Sequence, residues 1–178
     1  MIPILTPESS VIVAEFFRIF LIFTMFFAAM GKFFTFNTFK EDLATSFRIT
    51  SPWNHGLAML VICIEVLIGI ALLFNDLILQ LAVYAILFLI GIFTMVVFYF
   101  LFNSGSVKCS CFGQKSQRIS YWDFIKNFVI LFAGVWVLIH FNNSAIEPVL
   151  HYTLGCFALL LFILICNINN IVLMARIK

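Results

Sequence analysis

A chain of 178 residues that is 64% hydrophobic, only 10% charged and has a mean hydropathy of +1.16 excludes a water-soluble domain, since such domains are about a quarter charged and under half apolar. A net charge of +2 without any basic cluster excludes a nucleic-acid partner. Five cysteines scattered along so apolar a chain are not the disulfide framework of a small secreted domain. What remains is one integral membrane domain over residues 1–178, with the lipid bilayer as its first partner.

Residues 1–10 carry Glu8 and no Lys or Arg, so they lack the basic start of a secretory signal. The apolar run at 11–30 is about long enough to cross a bilayer and reads as a retained first span. It holds Glu15 and Arg18, three residues apart and therefore on one helix face. Gly31 and Lys32 close it. Residues 33–54 are mixed in character. Thr38 and Glu41 have the spacing of a capping box, and Phe39, Leu43 and Phe47 recur at helical spacing among Lys40, Glu41, Asp42 and Arg48. That pattern predicts a short amphipathic helix in the membrane interface, ended by Ser51 and Pro52, with Trp53 where interfacial aromatics collect.

A second span is expected over 57–74, with Glu65 near its middle, and a third over 78–102. Residues 103–119 form a polar loop. Ser120 and Asp123 repeat the capping-box spacing and set the start of a fourth helix, which carries Lys126 and Asn127 in its first turns and runs to about 141. A polar turn at 142–148 leads to a fifth span over 149–175, followed by Arg176 and Lys178. The expected fold is all-α: a polytopic membrane bundle of about five transmembrane helices, four in a core plus a C-terminal span. With that topology the cysteine loop shares its side with nine of the ten basic residues, and Arg18 lies inside a span. By the positive-inside rule alone, that side is the cytoplasm.

Chemistry concentrates in the polar loop. Cys109 and Cys111 are separated by one residue, so a disulfide between them closes a small ring whose torsion is held away from about ±90°. Strain of this kind favours a labile, exchange-prone bridge. Lys108 and the positive end of the fourth helix favour the nucleophilic thiolate. The spacing leaves a second reading open, in which these are incidental loop cysteines or half a metal site. A lone C-x-C offers two ligands where zinc takes four, no His is near in sequence, and no metal is assigned.

Cys63, Cys156 and Cys166 fall within spans, where free cysteine is commonly a small core residue. Glu15, Arg18 and Glu65 are the buried ionisable set. They read either as a structural ion pair between the first two spans or as a proton relay or polar handle for a quinone-like carrier. His140 and His151 lie at span ends away from the cysteine loop, and His55 reads as a loop residue.

The order of these features resembles a known family. Arg18 in the first span, Gly31-Lys32 at its end, a Phe-rich amphipathic segment closing on Pro52, and Glu65 with Gly69 in the second span resemble the DoxX-like bacterial membrane proteins. Cys109-Ser110-Cys111-Phe112-Gly113, followed by Trp122 and then Lys126-Asn127, is similar to the MauE branch of that family, over roughly residues 15–140. Ser110 stands where many relatives have Gly. The resemblance implies a helical bundle in the bacterial cytoplasmic membrane, with thiol redox work and a thioredoxin-like partner outside the cytoplasm. In the methylamine-utilisation branch it implies help in maturing the disulfide-rich methylamine dehydrogenase.

On that reading Cys109 and Cys111 carry the exchange, and Lys108, Phe112, Gly113, Trp122, Lys126 and Asn127 support the loop. Arg18, Lys32, Glu65 and Glu15 hold the helices beneath it or line a pocket for an electron carrier; no cofactor is required. The resemblance sets the cysteine loop outside the cytoplasm, against the charge count. The rival expectation is a non-catalytic accessory subunit that scaffolds a larger membrane complex.

Overall fold

The computed structural model describes residues 7–47, 53–74, 76–102, 108–109, 117–118, 121–140 and 152–165. The first helix, α1 (Pro7–Phe34), starts on a proline, which the first helical position tolerates because its missing N–H would have no partner there. At 28 residues it is about 42 Å long, more than the bilayer core needs. It does not end at Gly31. The Gly31 carbonyl accepts both the backbone N–H of Thr35 at 3.1 Å and the Thr35 hydroxyl at 2.9 Å, so the turn through Lys32 stays helical.

The short helix α2 (Phe36–Phe47) follows at once. Its first donors are met by the chain before it, with Phe39 N–H donating to Thr35 O at 2.9 Å. Thr38 and Glu41 therefore lie inside the helix and do not mark its start. The amphipathic pattern does hold: Phe39 and Leu43 are buried against Ala29, Ala58 and Ile62, and Glu41 and Thr45 face outward.

Helix α3 (Trp53–Ala71) begins four residues before the expected second span and so includes His55, whose ring meets Phe36 edge-on at 5.1 Å. His55 is thus a helix residue with an aromatic neighbour. The end of α3 tightens, with Leu73 N–H donating to Ile70 O and Phe74 N–H to Ala71 O. Helix α4 (Asp76–Phe102) follows. Two-residue strands β1 (Lys108–Cys109) and β2 (Gln117–Arg118) pair antiparallel, with Lys108 opposite Arg118 and Cys109 opposite Gln117. Helix α5 (Tyr121–His140) begins immediately after Ser120, as the capping pattern predicts, and α6 (Tyr152–Ile165) completes the described chain.

Helices α1, α3, α4 and α5 form a closed ring of neighbours. Gly69 of α3 meets Met25 and Phe26 of α1, while Glu65 meets Lys32, so α1 and α3 are antiparallel. Phe17 packs on Phe132 and Trp136 at one end of α5, whereas Thr24 and Lys32 share a cavity with Asn127 at the other. Gly134 meets Val83 and Leu87, and Phe98 meets Phe124, which sets α4 antiparallel to α5. The core is an up-down four-helix bundle filled by Phe20, Leu21, Met25, Leu72, Ile86 and Ile130 among others. Helix α6 lies outside it against α1, stacking Phe162 on Phe27 at 4.9 Å.

The outer faces are as apolar as the core. Leu67, Leu81, Phe88, Met95, Phe128 and Ile139 are all exposed. Ser9–Phe34, Trp53–Ala71 and Leu77–Val96 are long and apolar enough to cross a membrane, and Phe124–His140 and Tyr152–Ile165 are shorter apolar helices. The protein is a multi-pass helical membrane bundle with a short amphipathic helix after its first span. Because lipid is as apolar as these side chains, the hydrophobic effect does little to hold the helices together once they are inserted. Close packing and buried polar links must do so.

Candidate functional site

The topology gathers the C-terminal turns of α1, the start of α3, the end of α4 and the start of α5 at one end of the bundle, with α2 packed there against α3 and α1. Lys32 falls on the face of α1 that also carries Leu21, Met25 and Ala28, so helical spacing turns it inward. Its ammonium lies 2.6 Å from Glu65 Oε1, and the two residues are only 2% and 3% exposed. The Lys32 Nζ also sits 5.7 Å from the centre of the Phe39 ring and 5.9 Å from that of Phe93, so α2 and α4 cover the pair with aromatic faces. Asn127 and Lys126, in the second turn of α5, are buried at the same end, and Asn127 shares a cavity with Lys32, Glu65 and Thr24.

The other charged set lies at the opposite end. Arg18 donates from Nε to Leu72 O at 2.8 Å and from its Nη2 nitrogen to Phe74 O at 3.1 Å, and its Nη1 nitrogen lies 3.4 Å from Glu15. It thus caps the C-terminus of α3, where free carbonyls carry partial negative charge. The expected single set of Glu15, Arg18 and Glu65 is therefore two separate arrangements. Arg18 joins α1 to α3 through backbone oxygens, and Glu65 takes Lys32 as its partner. Near the Arg18 end, His140 stacks on Trp136 with centroids 4.4 Å apart.

The cysteine pair is placed in part. Cys109 lies in β1, whose backbone approaches α2, and β2 ends three positions before α5 begins. Lys108 shares β1 with Cys109, and Trp122 lies in the first turn of α5. Ser110, Cys111, Phe112 and Gly113 lie outside the described residues, as do Cys166 and His151. Cys63 and Cys156 are exposed on helix faces that look away from the bundle, so they are not core residues. Neither α3 nor α6 turns a thiol toward the polar end. Among the described residues, no three His, Cys, Asp or Glu side chains gather as a metal ion needs.

Lys32 closes the first apolar run of the sequence and matches the family pattern, but no local feature pairs it with Glu65. The usable signal was its register with the buried face of α1. Thr24 and Phe93, which complete the surroundings, gave no signal of their own, because one Thr and one Phe inside apolar spans are unremarked by any local pattern.

No curated protein and no solved structure matches this chain. Residues 10–140, which run from within α1 to the end of α5 and include the cysteine segment, match the family model of the methylamine utilisation protein MauE. The chain belongs to the MauE family.

Proposed function

We propose that this protein is a thiol–disulfide relay of the bacterial cytoplasmic membrane that serves protein maturation in methylamine utilisation. Cys109 and Cys111 alternate between dithiol and disulfide. A thiolate of a thioredoxin-like or substrate protein attacks one sulfur of the Cys109–Cys111 bridge, forming a mixed disulfide and releasing the other cysteine as a thiolate. The partner's second thiolate then attacks its own sulfur in that bond, leaving the partner oxidised and both cysteines here reduced. Two electrons pass to this chain, together with the two protons that the partner's thiols gave up. The same exchange run in the opposite sense, against the disulfide of a second protein that is thereby reduced to its dithiol, oxidises the pair again.

The observation that supports the reading is the strand register. It holds Cys109 opposite Gln117, beside α2, at the end where Lys32, Glu65, Lys126 and Asn127 are buried. A redox loop needs a rigid base, and here an ion pair ties the last turn of α1 to the body of α3. Lys108, Lys126 and the N-terminus of α5 add positive potential that favours thiolate, and Phe112, Gly113 and Trp122 shape the loop. The loop faces the extracytoplasmic side, where its partner works.

Alkylation mass-shift analysis in native membranes tests this. The pair is expected to change by two alkyl groups across a stepped redox poise, and Cys111→Ser or Cys109→Ser is expected to trap a mixed disulfide with the partner. A pair that never oxidises, with partner redox state unchanged in the double serine variant, sinks the proposal. A membrane-impermeant thiol reagent applied to intact cells is expected to label the reduced pair.

A further inference from the structure

Between α1, α3, α4 and α5 lies a cavity of about 20 Å³ bordered by Thr24, Lys32, Glu65, Phe93 and Asn127. A water molecule needs roughly 10–15 Å³ of such space and two to four polar partners. The space is there, and so is an unmet demand. Glu65 Oε1 accepts from Lys32, but Glu65 Oε2 is fully buried and has no hydrogen-bond partner among the described residues. Leaving a buried carboxylate oxygen bare is costly, because it has surrendered its hydration and received nothing in return. Bulk water does not reach it, since Glu65 is 3% exposed and Lys32 is 2% exposed.

The rest of the lining is chemically suited to one small polar guest. Thr24 spends its hydroxyl hydrogen on Phe20 O at 2.8 Å and keeps lone pairs to accept with. The Asn127 side chain offers both an acceptor and two donors, and a lysine ammonium has three donors. Met25, Ala28, Ile90 and Phe93 fill the remaining wall and leave no room for a larger ligand.

We propose that this cavity is a binding site for a single water molecule that donates to Glu65 Oε2 and bonds to the Asn127 amide. The water turns a two-residue ion pair into a network joining α1 through Lys32, α3 through Glu65 and α5 through Asn127. Asn127 lies six residues after the start of α5, and α5 begins three positions after β2, the strand paired with the one that holds Cys109, so the bound water links the ion pair to the helix that follows those strands in the chain. The site stands whether or not Cys109 and Cys111 react.

A crystal structure of the full chain grown from a lipid mesophase, at a resolution that shows ordered waters, provides the test. Density is expected within hydrogen-bonding distance of both Glu65 Oε2 and the Asn127 amide. In membranes exchanged into heavy-oxygen water, infrared difference spectra are expected to show a narrow O–H stretch from this water. That band should shift in Glu65→Gln and be lost in Asn127→Leu. An empty cavity, a direct bond from Oε2 to Lys126, or a buried-water band indifferent to both substitutions overturns the proposal.

Discussion

Lys32 and Glu65 stand 33 positions apart in the chain and 2.6 Å apart in the bundle, both cut off from solvent. Removing one partner strands the other as an uncompensated charge, whereas replacing both with apolar residues of similar volume restores an ordinary core. Lys32→Met or Glu65→Leu alone is expected to cost about 3–5 kcal/mol, and the double replacement far less than the sum. Reversible unfolding in mixed micelles measures this. Additive losses in the double variant would show that the ion pair is not the source.

Arg18 serves two carbonyl oxygens and a carboxylate from one planar fork. Arg18→Ala leaves Leu72 O and Phe74 O without this donor and removes the guanidinium facing Glu15, an expected loss of about 2–4 kcal/mol in the same unfolding assay. Arg18→Lys is expected to recover little, because a single ammonium cannot reach all three acceptors in the guanidinium geometry. Full recovery by lysine would reduce the role of Arg18 to charge alone.

Two glycines mark where helices approach closely. A methyl group at Gly134 would come 2.9 Å from Leu87 Cδ2, the far end of a side chain that can turn aside. At Gly69 it would press on the Phe26 ring at 3.3 Å, with Met25 Cβ at an ordinary contact distance of 3.5 Å. Gly134→Ala and Gly69→Ala are therefore both expected to be mild, while Gly69→Leu adds a full side chain at the contact between α1 and α3 and costs roughly 1–3 kcal/mol. Thermal aggregation of the detergent-purified variants ranks them.

Cys63 and Cys156 face outward from the helices that carry them. Replacing both with alanine is expected to change stability by less than about 0.5 kcal/mol and to leave the redox behaviour of Cys109 and Cys111 unaltered in mass-shift analysis. A lipid-permeant maleimide should label both in native membranes. Loss of exchange in this double variant would assign a lipid-facing thiol to the relay.

The amphipathic helix was legible because its signal is local: Phe39 and Leu43 fall on one face whatever they later touch, and they do touch Ala58 and Ile62. The start of α5 after Ser120 was legible for the same reason. The end of α1 was not, because a glycine followed by a lysine looks like a terminus. Whether it is one depended on Thr35, whose backbone N–H and hydroxyl both close onto Gly31 O. His55 reads as a loop residue in the sequence because hydropathy alone marks the second span, and polar residues in the first turn of α3 do not register on it.

Composition and helical periodicity by themselves determined that this chain lives in a bilayer, which segments are helical, and that two cysteines fall in a polar stretch of sequence before the fourth span. These follow from each residue's own preference for lipid or water and from neighbours within one or two turns. Only the tertiary structure decided that Lys32 answers Glu65 and that Arg18 answers the carbonyls of Leu72 and Phe74. It alone set the two arrangements at opposite ends and turned Cys63 toward lipid. In a chain apolar on nearly every face, the sequence pattern barely distinguishes inward from outward, so partner choice rests on which helix faces meet.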